Sequence, residues 1–114
     1  MRTTKQVIDQ YMKGWESCDI DQVMDVFDES SLLICGDKVY RGLKEIEDFF
    51  IYGMEKILPL GVEIKDIHQV IEDDLAYFIW QAKSEKCVVS LGMDTFLVKN
   101  GVISRQTAYL GIEG

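Results

Sequence analysis

Residues 87–114 read CVVSLGMDTFLVKNGVISRQTAYLGIEG, with Asn100-Gly101 between two apolar runs. Asn-Gly in this setting is a strong signal of a two-residue β-hairpin turn, because both turn positions need a positive φ. The stretch therefore predicts a pair of antiparallel strands over 88–98 and 102–112, and the short turn fixes their register.

Asp94 is the one charged residue in the first of these strands. Counting back from the turn predicts that Asp94 pairs with Thr107, and alternation places it on one face with Gly92, Phe96 and Val98. A carboxylate among apolar neighbours must be paired, hydrated or protonated, and Gly92 leaves open space beside it. We interpret this face as the wall of a cavity that holds one acid. The alternative is that Asp94 faces solvent or caps a bulge.

Length and composition indicate a single globular domain over residues 1–114, with 47% hydrophobic and 28% charged residues. The net charge of −8 argues against nucleic acid and anionic membranes as partners, since both select basic surfaces. No apolar run approaches the roughly 20 residues of a membrane span. The first residues lack the apolar core of a signal peptide, so we expect a cytoplasmic protein.

The cysteines and the histidine give no sign of a disulfide framework or a metal site. Cys18, Cys35 and Cys87 are odd in number and show no CxxC spacing, so we expect reduced thiols. His68 is the single histidine and has no ligand cluster around it in the sequence. We therefore expect a protein without a metal or other cofactor.

Helical periodicity precedes the strands. Thr3 with Gln6, and Asp19 with Gln22, have the spacing of helix N-caps, and each pair leads into an apolar stripe. Tyr11 lies inside the first stripe, either as a core tyrosine or with its hydroxyl aimed into a cavity. A third helix is predicted over 43–58, where the only proline of the chain follows.

Four further strands are predicted over 31–35, 38–41, 62–71 and 75–83. Asp37 is interpreted as a turn residue between the first two, or as a residue at the mouth of a cavity. Alternation in the strand over 62–71 places His68 on the same face as Ile64. In the strand over 75–83, Trp80 is interpreted as lying at the bottom of a pocket or in a dimer interface. Helices first and antiparallel strands last predict an α+β domain with a strongly curved sheet wrapped on a helix.

Three segments resemble the nuclear-transport-factor-2-like superfamily, which includes SnoaL-like cyclases and ketosteroid isomerases. They are VIDQYMKGWESCDIDQVMDVF, RGLKEIEDFF with LPLGVEI, and GMDTFLVKNGVIS. The first resembles the isomerases' first two helices, the second their third helix and its exit into a strand, and the third the strand that bears their acid. The resemblance covers nearly the whole chain. It implies the cone-shaped, cystatin-like α+β fold, with three helices packed in a strongly curved antiparallel sheet.

The same resemblance implies a catalytic site. Tyr11 falls on the isomerases' catalytic tyrosine and Asp94 on their oxyanion-hole aspartic acid, two donors that would stabilise an enolate. The isomerases' general base falls on Cys35, a thiol that is mostly protonated at neutral pH. Tyr11, Asp94 and Cys35 are thus the candidate catalytic residues, with Asp37 or His68 as substitutes for the missing base.

Apolar stripes supply candidate substrate-binding residues, which are Trp15, Phe27, Phe49, Phe50, Met54, Trp80 and Phe96. The simpler interpretation of these side chains is an ordinary core.

Two functions follow from the resemblance and the pattern. The first is an isomerase, cyclase or dehydratase of a small apolar carbonyl compound, acting through an enolate without a cofactor. The alternative is a binding module, or a dimeric interaction protein with a vestigial pocket. We expect a homodimer through the outer sheet face, whose predicted apolar residues are Val89, Leu91, Met93, Leu97 and Leu110.

Overall fold

A computed structural model describes residues 1–113 of the chain. Its elements in chain order are α1 Thr4–Glu16, α2 Ile20–Met24, β1 Leu32–Cys35, β2 Lys38–Arg41, α3 Gly42–Lys56, β3 Glu63–Glu72, β4 Leu75–Lys83, β5 Val88–Lys99 and β6 Val102–Glu113. Each element that the sequence predicts is present, with ends shifted by two residues at most. Within the described residues, no helix is long and apolar enough to cross a lipid bilayer.

Both predicted helix caps form. The Gln6 backbone N–H donates to Thr3 Oγ1 at 3.2 Å, and the Thr3 N–H donates to Gln6 Oε1 at 2.9 Å, which completes a capping box. The Gln22 N–H donates to Asp19 Oδ1 at 3.2 Å. These bonds satisfy backbone donors that the helix itself leaves free, so the first two helices begin where the sequence predicts.

The six strands form one sheet in the order β2-β1-β6-β5-β4-β3. All neighbouring strands are antiparallel except β1 and β6, which are parallel. The antiparallel sheet that the resemblance implies is therefore mixed at this one pairing. β1 has a hairpin with β2 but none with β6, so no tight turn fixes the relative direction of β1 and β6.

The register of the β5–β6 hairpin slips by one residue close to the turn. Lys99 pairs with Val102 as predicted, but an irregularity after the next pair places Asp94 opposite Ala108. The predicted pairing of Asp94 with Thr107 is wrong, because a bulge in β6 inserts one extra residue. Beyond the bulge the alternation of β6 is inverted, and Gln106 faces inward.

Two residues predicted for the outer face of the sheet lie inside. Val89 is only 1% exposed, beside a second irregularity at the far end of the hairpin. Leu110 follows the inverted alternation of β6 and packs against the core. Leu91, by contrast, is exposed as predicted.

Aromatic rings from the helices and from the sheet meet around Tyr11. Its ring centroid lies 4.9 Å from that of Phe96 and 6.0 Å from that of Phe50. Phe27 completes this cluster at 6.2 Å. Edge-to-face contacts at such distances add to the burial energy, so the Tyr11 ring is held firmly against the inner face of the sheet.

Gly14 of α1 packs closely against Val23 of α2. A Cβ there would overlap Val23 Cγ2 and would lie 2.9 Å from the Val23 backbone nitrogen. We expect Gly14→Ala to lower the free energy of unfolding by about 1–3 kcal/mol through overpacking, although alanine favours a helix by about 1 kcal/mol over glycine. Urea denaturation measures the change, with Lys13→Ala at an exposed position of the same helix as the control. Equal stability of the two variants would contradict the close contact.

Candidate functional site

A cavity of about 70 Å³ lies between α1, α3 and the inner face of the sheet. Trp15 and Phe50 are among its mostly apolar lining. Its half-buried members lie nearest to solvent, and they are Met12, Phe49, Ile64, Ala108 and Leu110. An engineered cavity of roughly 150 Å³ binds benzene. At about half that volume, the cavity encloses only part of a ring of that size, and a larger molecule would extend past its half-buried side.

One group of polar side chains lies at the cavity, and we call it the polar network: Tyr11, Trp80, Asp94 and Gln106. Gln106 Nε2 donates to Tyr11 Oη at 3.0 Å and to Asp94 Oδ1 at 3.1 Å, while Trp80 Nε1 donates to Asp94 Oδ2 at 2.8 Å. The exposed fractions are 6% for Tyr11, 8% for Asp94 and 2% for Gln106. Gln106 thus joins the two candidate catalytic residues, which make no direct hydrogen bond to each other.

The position of Trp80 depends on Gly92. The two residues are partners across β4 and β5, and a Cβ on Gly92 would overlap the indole ring. The space predicted beside Asp94 is therefore filled, because the ring lies over the glycine. From there the indole N–H reaches the carboxylate.

Gln106 is the residue of the polar network that strand alternation does not predict. Simple alternation from the turn puts it on the opposite face from Ile103, which is fully buried. The bulge in β6 reverses this and brings both side chains inside. The available signal was the run of polar residues over 104–107 in an otherwise apolar strand, a pattern that favours an irregularity but does not locate it.

Burial controls the ionisation of the site. It raises the pKa of Asp94 to about 6, against the opposing effect of the hydrogen bonds that Trp80 and Gln106 donate. Burial, and then the nearby charge of Asp94, raise the pKa of the Tyr11 hydroxyl and that of the Cys35 thiol. Around neutral pH, Asp94 is mostly an ionised acceptor of two hydrogen bonds, and Tyr11 and Cys35 keep their protons.

Two buried polar atoms beside the cavity have no hydrogen-bond partner among the described residues. They are Trp15 Nε1 and Gln106 Oε1. The Trp15 N–H is close enough to the Tyr11 oxygen to lower the pKa of its hydroxyl, but it does not reach hydrogen-bond geometry. An unpaired buried polar group costs about 1–3 kcal/mol. Unpaired buried polar groups in native structures occur at sites of bound water or ions and at functional sites.

The sequence-predicted substrate-binding residues divide into two sets. Trp15, Phe49, Phe50 and Trp80 line the cavity. Phe27, Met54 and Phe96 are not part of its lining and pack in the hydrophobic core.

The candidate bases lie outside the cavity. Cys35, at the end of β1, is half-buried and is not among the lining residues. Asp37 lies in the exposed turn before β2, and His68 is exposed on β3. The predicted face shared by His68 and Ile64 is wrong, because an irregularity between Asp66 and His68 changes the alternation. The three cysteines are free, and no group of potential metal ligands occurs within residues 1–113.

We expect Asp94→Asn to remove part of the pH dependence of stability. The ordinary pKa of 3.8 in the unfolded chain is raised to about 6 in the folded one, so the folded chain binds this proton more tightly. The free energy of unfolding should therefore fall by ~3 kcal/mol as pH rises through this window. Asparagine can accept from Trp80 and, with the Gln106 carboxamide turned so that Oε1 faces it, donate to Gln106, so the variant should fold.

Urea denaturation at pH values on both sides of this window provides the measurement. The stability gained by Asp94→Asn should grow as pH rises, whereas Asp37→Asn, the same change in an exposed turn, should gain nothing comparable. A gain that does not depend on pH would contradict a raised pKa of Asp94.

No family model and no curated protein matches the sequence, but solved structures match most of the chain. A proposed SnoaL-like polyketide cyclase from Shewanella putrefaciens is similar at a TM-score of 0.78 and 13% identity, over 97% of this chain and 81% of that one. A proposed ketosteroid isomerase from Kribbella flavida is similar at a TM-score of 0.76 and 12% identity, over 94% of this chain and 76% of that one. An NTF-2 like protein of unknown function from Burkholderia xenovorans is similar at a TM-score of 0.77 and 13% identity, over 95% of this chain and 82% of that one. The chain thus has the nuclear-transport-factor-2-like fold, as its sequence predicts.

Proposed function

We propose that the chain binds a small apolar carbonyl compound in the cavity and moves a proton at the carbon next to the carbonyl. Isomerases, cyclases and dehydratases that act through an enolate share this step. The observation that carries the proposal is the buried Tyr11–Gln106–Asp94 chain of hydrogen bonds beside an apolar cavity. The similarity to a proposed cyclase and a proposed isomerase favours the same chemistry, although a shared fold alone does not give function.

Tyr11 supplies the hydrogen bond to the carbonyl oxygen. Its oxygen accepts from Gln106, and no described residue accepts its own hydrogen. A neutral hydroxyl in an apolar cavity stabilises a developing oxyanion strongly, because little water competes for it. The raised pKa of Tyr11 keeps this hydrogen in place.

Asp94 acts as the base, in place of the oxyanion donor that the resemblance implies. Two donors already point at its carboxylate, and a pKa of about 6 lies near the pH at which a general base works best. The C–H bond next to the carbonyl breaks, its proton passes to the carboxylate, and its electron pair forms the enolate that Tyr11 holds. Return of the proton to another carbon completes an isomerisation.

The exchange of ketone α-hydrogens for deuterium tests this function without knowledge of the natural substrate. In heavy water, NMR should show that the protein accelerates exchange on a small cyclic ketone such as cyclopentanone. The rate should rise with pH through about 6, as Asp94 ionises. Asp94→Asn should lower the protein-dependent rate by about 10²-fold or more, and Tyr11→Phe should lower it as well.

Cys35→Ser is the matched control, because Cys35 lies outside the cavity lining. Its exchange rate should equal that of the wild type. Exchange that survives Asp94→Asn, or that is lost in Cys35→Ser, would overturn the assignment of the base.

Binding without turnover is the second candidate. It is favoured by Cys35, which stands where the isomerases have their general base. Burial raises the pKa of this thiol, so it remains protonated and is a poor base. The same cavity and the same Tyr11 donor would then hold a carbonyl ligand unchanged. Saturable binding of the ketone without α-hydrogen exchange would select this function.

The outer face of the sheet is proposed to join two copies of the chain. Ile79, Met93 and Tyr109 are register partners in a row across β4, β5 and β6. Tyr109 is 55% exposed and Leu91, one step along β5, is 39% exposed. A contiguous apolar face of this kind is typical of an interface.

Sedimentation velocity tests the dimer. We expect the wild type to sediment as a dimer and Leu91→Glu as a monomer, because an unpaired charge would be buried between the two sheets. Lys86→Glu, a charge change in an exposed loop, is the control and should remain dimeric. A monomeric wild type at high concentration would contradict the proposed interface.

The three free cysteines fit the cytoplasmic location that the sequence predicts. Thiols persist in a reducing compartment, whereas secreted proteins of this size often pair them.

A further inference from the structure

The carboxamide of Gln106 lies between Tyr11 and Asp94, the two residues that act in the proposed reaction. Its nitrogen donates to Tyr11 Oη at 3.0 Å and to Asp94 Oδ1 at 3.1 Å. An amide nitrogen carries two hydrogens, so one hydrogen goes to each neighbour. The amide oxygen is left buried without a partner among the described residues.

This arrangement determines where the Tyr11 hydrogen points. The Tyr11 oxygen accepts from Gln106 on one side and has the Trp15 N–H close by. A hydroxyl hydrogen turns away from donors and towards an acceptor. The hydrogen of Tyr11 is therefore free for a ligand in the cavity.

We propose that Gln106 is a positioning residue that couples the charge of Asp94 to the direction of the Tyr11 hydroxyl. While Asp94 is ionised, the amide N–H groups face both neighbours and Tyr11 can donate to a ligand. When Asp94 takes a proton from solvent while no enolate occupies the cavity, the carboxamide rotates by half a turn. Its oxygen then accepts from Asp94 and from Tyr11, and the cavity loses its donor. An enolate, as the stronger acceptor, would keep the Tyr11 hydrogen. The inference rests on the proposed function, because it concerns the ligand of the same cavity.

The two orientations differ in which end of the Gln106 amide faces Tyr11 and Asp94 and which end is left without a partner; in the ionised state the unpartnered end is Oε1. The protonation of Asp94 decides between them, because an ionised carboxylate can only accept a hydrogen bond whereas a protonated one can donate to Oε1. An amide can exchange its nitrogen and oxygen in this way without moving other side chains, since the two ends have nearly the same shape. The exchange therefore requires no repacking of the cavity wall.

Asp94 is the group that titrates in this cluster. The residues around it are Tyr11 of α1, Cys35 of β1, Trp80 of β4 and Gln106 of β6. Burial and the charge of Asp94 raise the pKa of both Tyr11 and Cys35, so these two stay neutral. In the described part of the chain, α3 and β3 bring only apolar side chains to the cavity.

The coupling defines the ligand class and its pH dependence. A ligand with an acceptor and no donor, such as a ketone, should bind best when Asp94 is ionised. If Asp94 instead donated to the ketone, as an oxyanion-hole acid does, binding would be best when it is protonated. The sign of the pH dependence separates the two arrangements.

The experiment compares cyclopentanone with methylenecyclopentane, which has the same shape but no acceptor oxygen. NMR titrations near pH 5 and near pH 8, on either side of the Asp94 pKa of about 6, give the ratio of the two affinities. We expect the wild type to prefer the ketone by about five- to tenfold at the higher pH, the effect of one hydrogen bond. At the lower pH the preference should largely disappear.

Two variants isolate the role of Gln106. Gln106→Met keeps the length of the side chain without the amide, and its ketone preference should not change with pH. Asp94→Asn should hold the rotated amide at every pH, because its amide nitrogen donates to Gln106 Oε1, and its ketone preference should be low throughout. If Gln106→Met fails to fold, the wild type and Asp94→Asn still give a complete test.

The indole signal of Trp80 gives the ionisation of Asp94 in the same samples. The chain has two tryptophans, and the Trp80 signal is the one lost in Trp80→Phe. The ketone preference of the wild type should follow the midpoint of this signal. A preference that is constant with pH, or that rises as pH falls, would overturn the coupling while leaving ketone binding intact. Absence of any ketone binding would overturn both the coupling and the proposed function.

Discussion

A carboxylate buried on an apolar sheet face must be given hydrogen-bond donors, and the packing around Asp94 meets this requirement from two sides. Trp80 donates from β4 because the glycine opposite it, Gly92, leaves room for the indole ring. Gln106 donates from β6 because a bulge turns it inward. Without these donors, burial would raise the pKa of Asp94 further. The pKa of about 6 is the balance of the two effects.

The same donors determine what the site can do. An acid that accepts two hydrogen bonds behaves as a carboxylate, so it suits the removal of a proton better than the donation of one. Tyr11 lies on the other side of Gln106 and keeps its hydrogen. A hydroxyl donor and a carboxylate therefore lie beside one small apolar cavity, held apart by a neutral amide. This arrangement differs from two acids whose hydrogens point at the same ligand oxygen.

Much of the fold was predictable because its signals are local. Capping residues such as Thr3 and Asp19 act within four residues of chain, and a two-residue turn such as Asn100-Gly101 commits the hairpin that contains it. The inward direction of Asp94 also followed from alternation. The errors began where alternation was interrupted: at the bulge in β6, which moved Leu110 inside, and at the irregularity in β3, which moved His68 away from the face of Ile64.

The sequence alone thus determined the order of the elements, their ends, and the burial of Tyr11 and Asp94, since these depend on periodicity and on side chains close along the chain. Tertiary structure decided the parallel pairing of β1 with β6, the size of the cavity, and the presence of Gln106 between Tyr11 and Asp94. The physical reason for the position of Gln106 is that a bulge leaves one residue unpaired and bends the strand. Its position depends on how strands from distant parts of the chain fit around the helices.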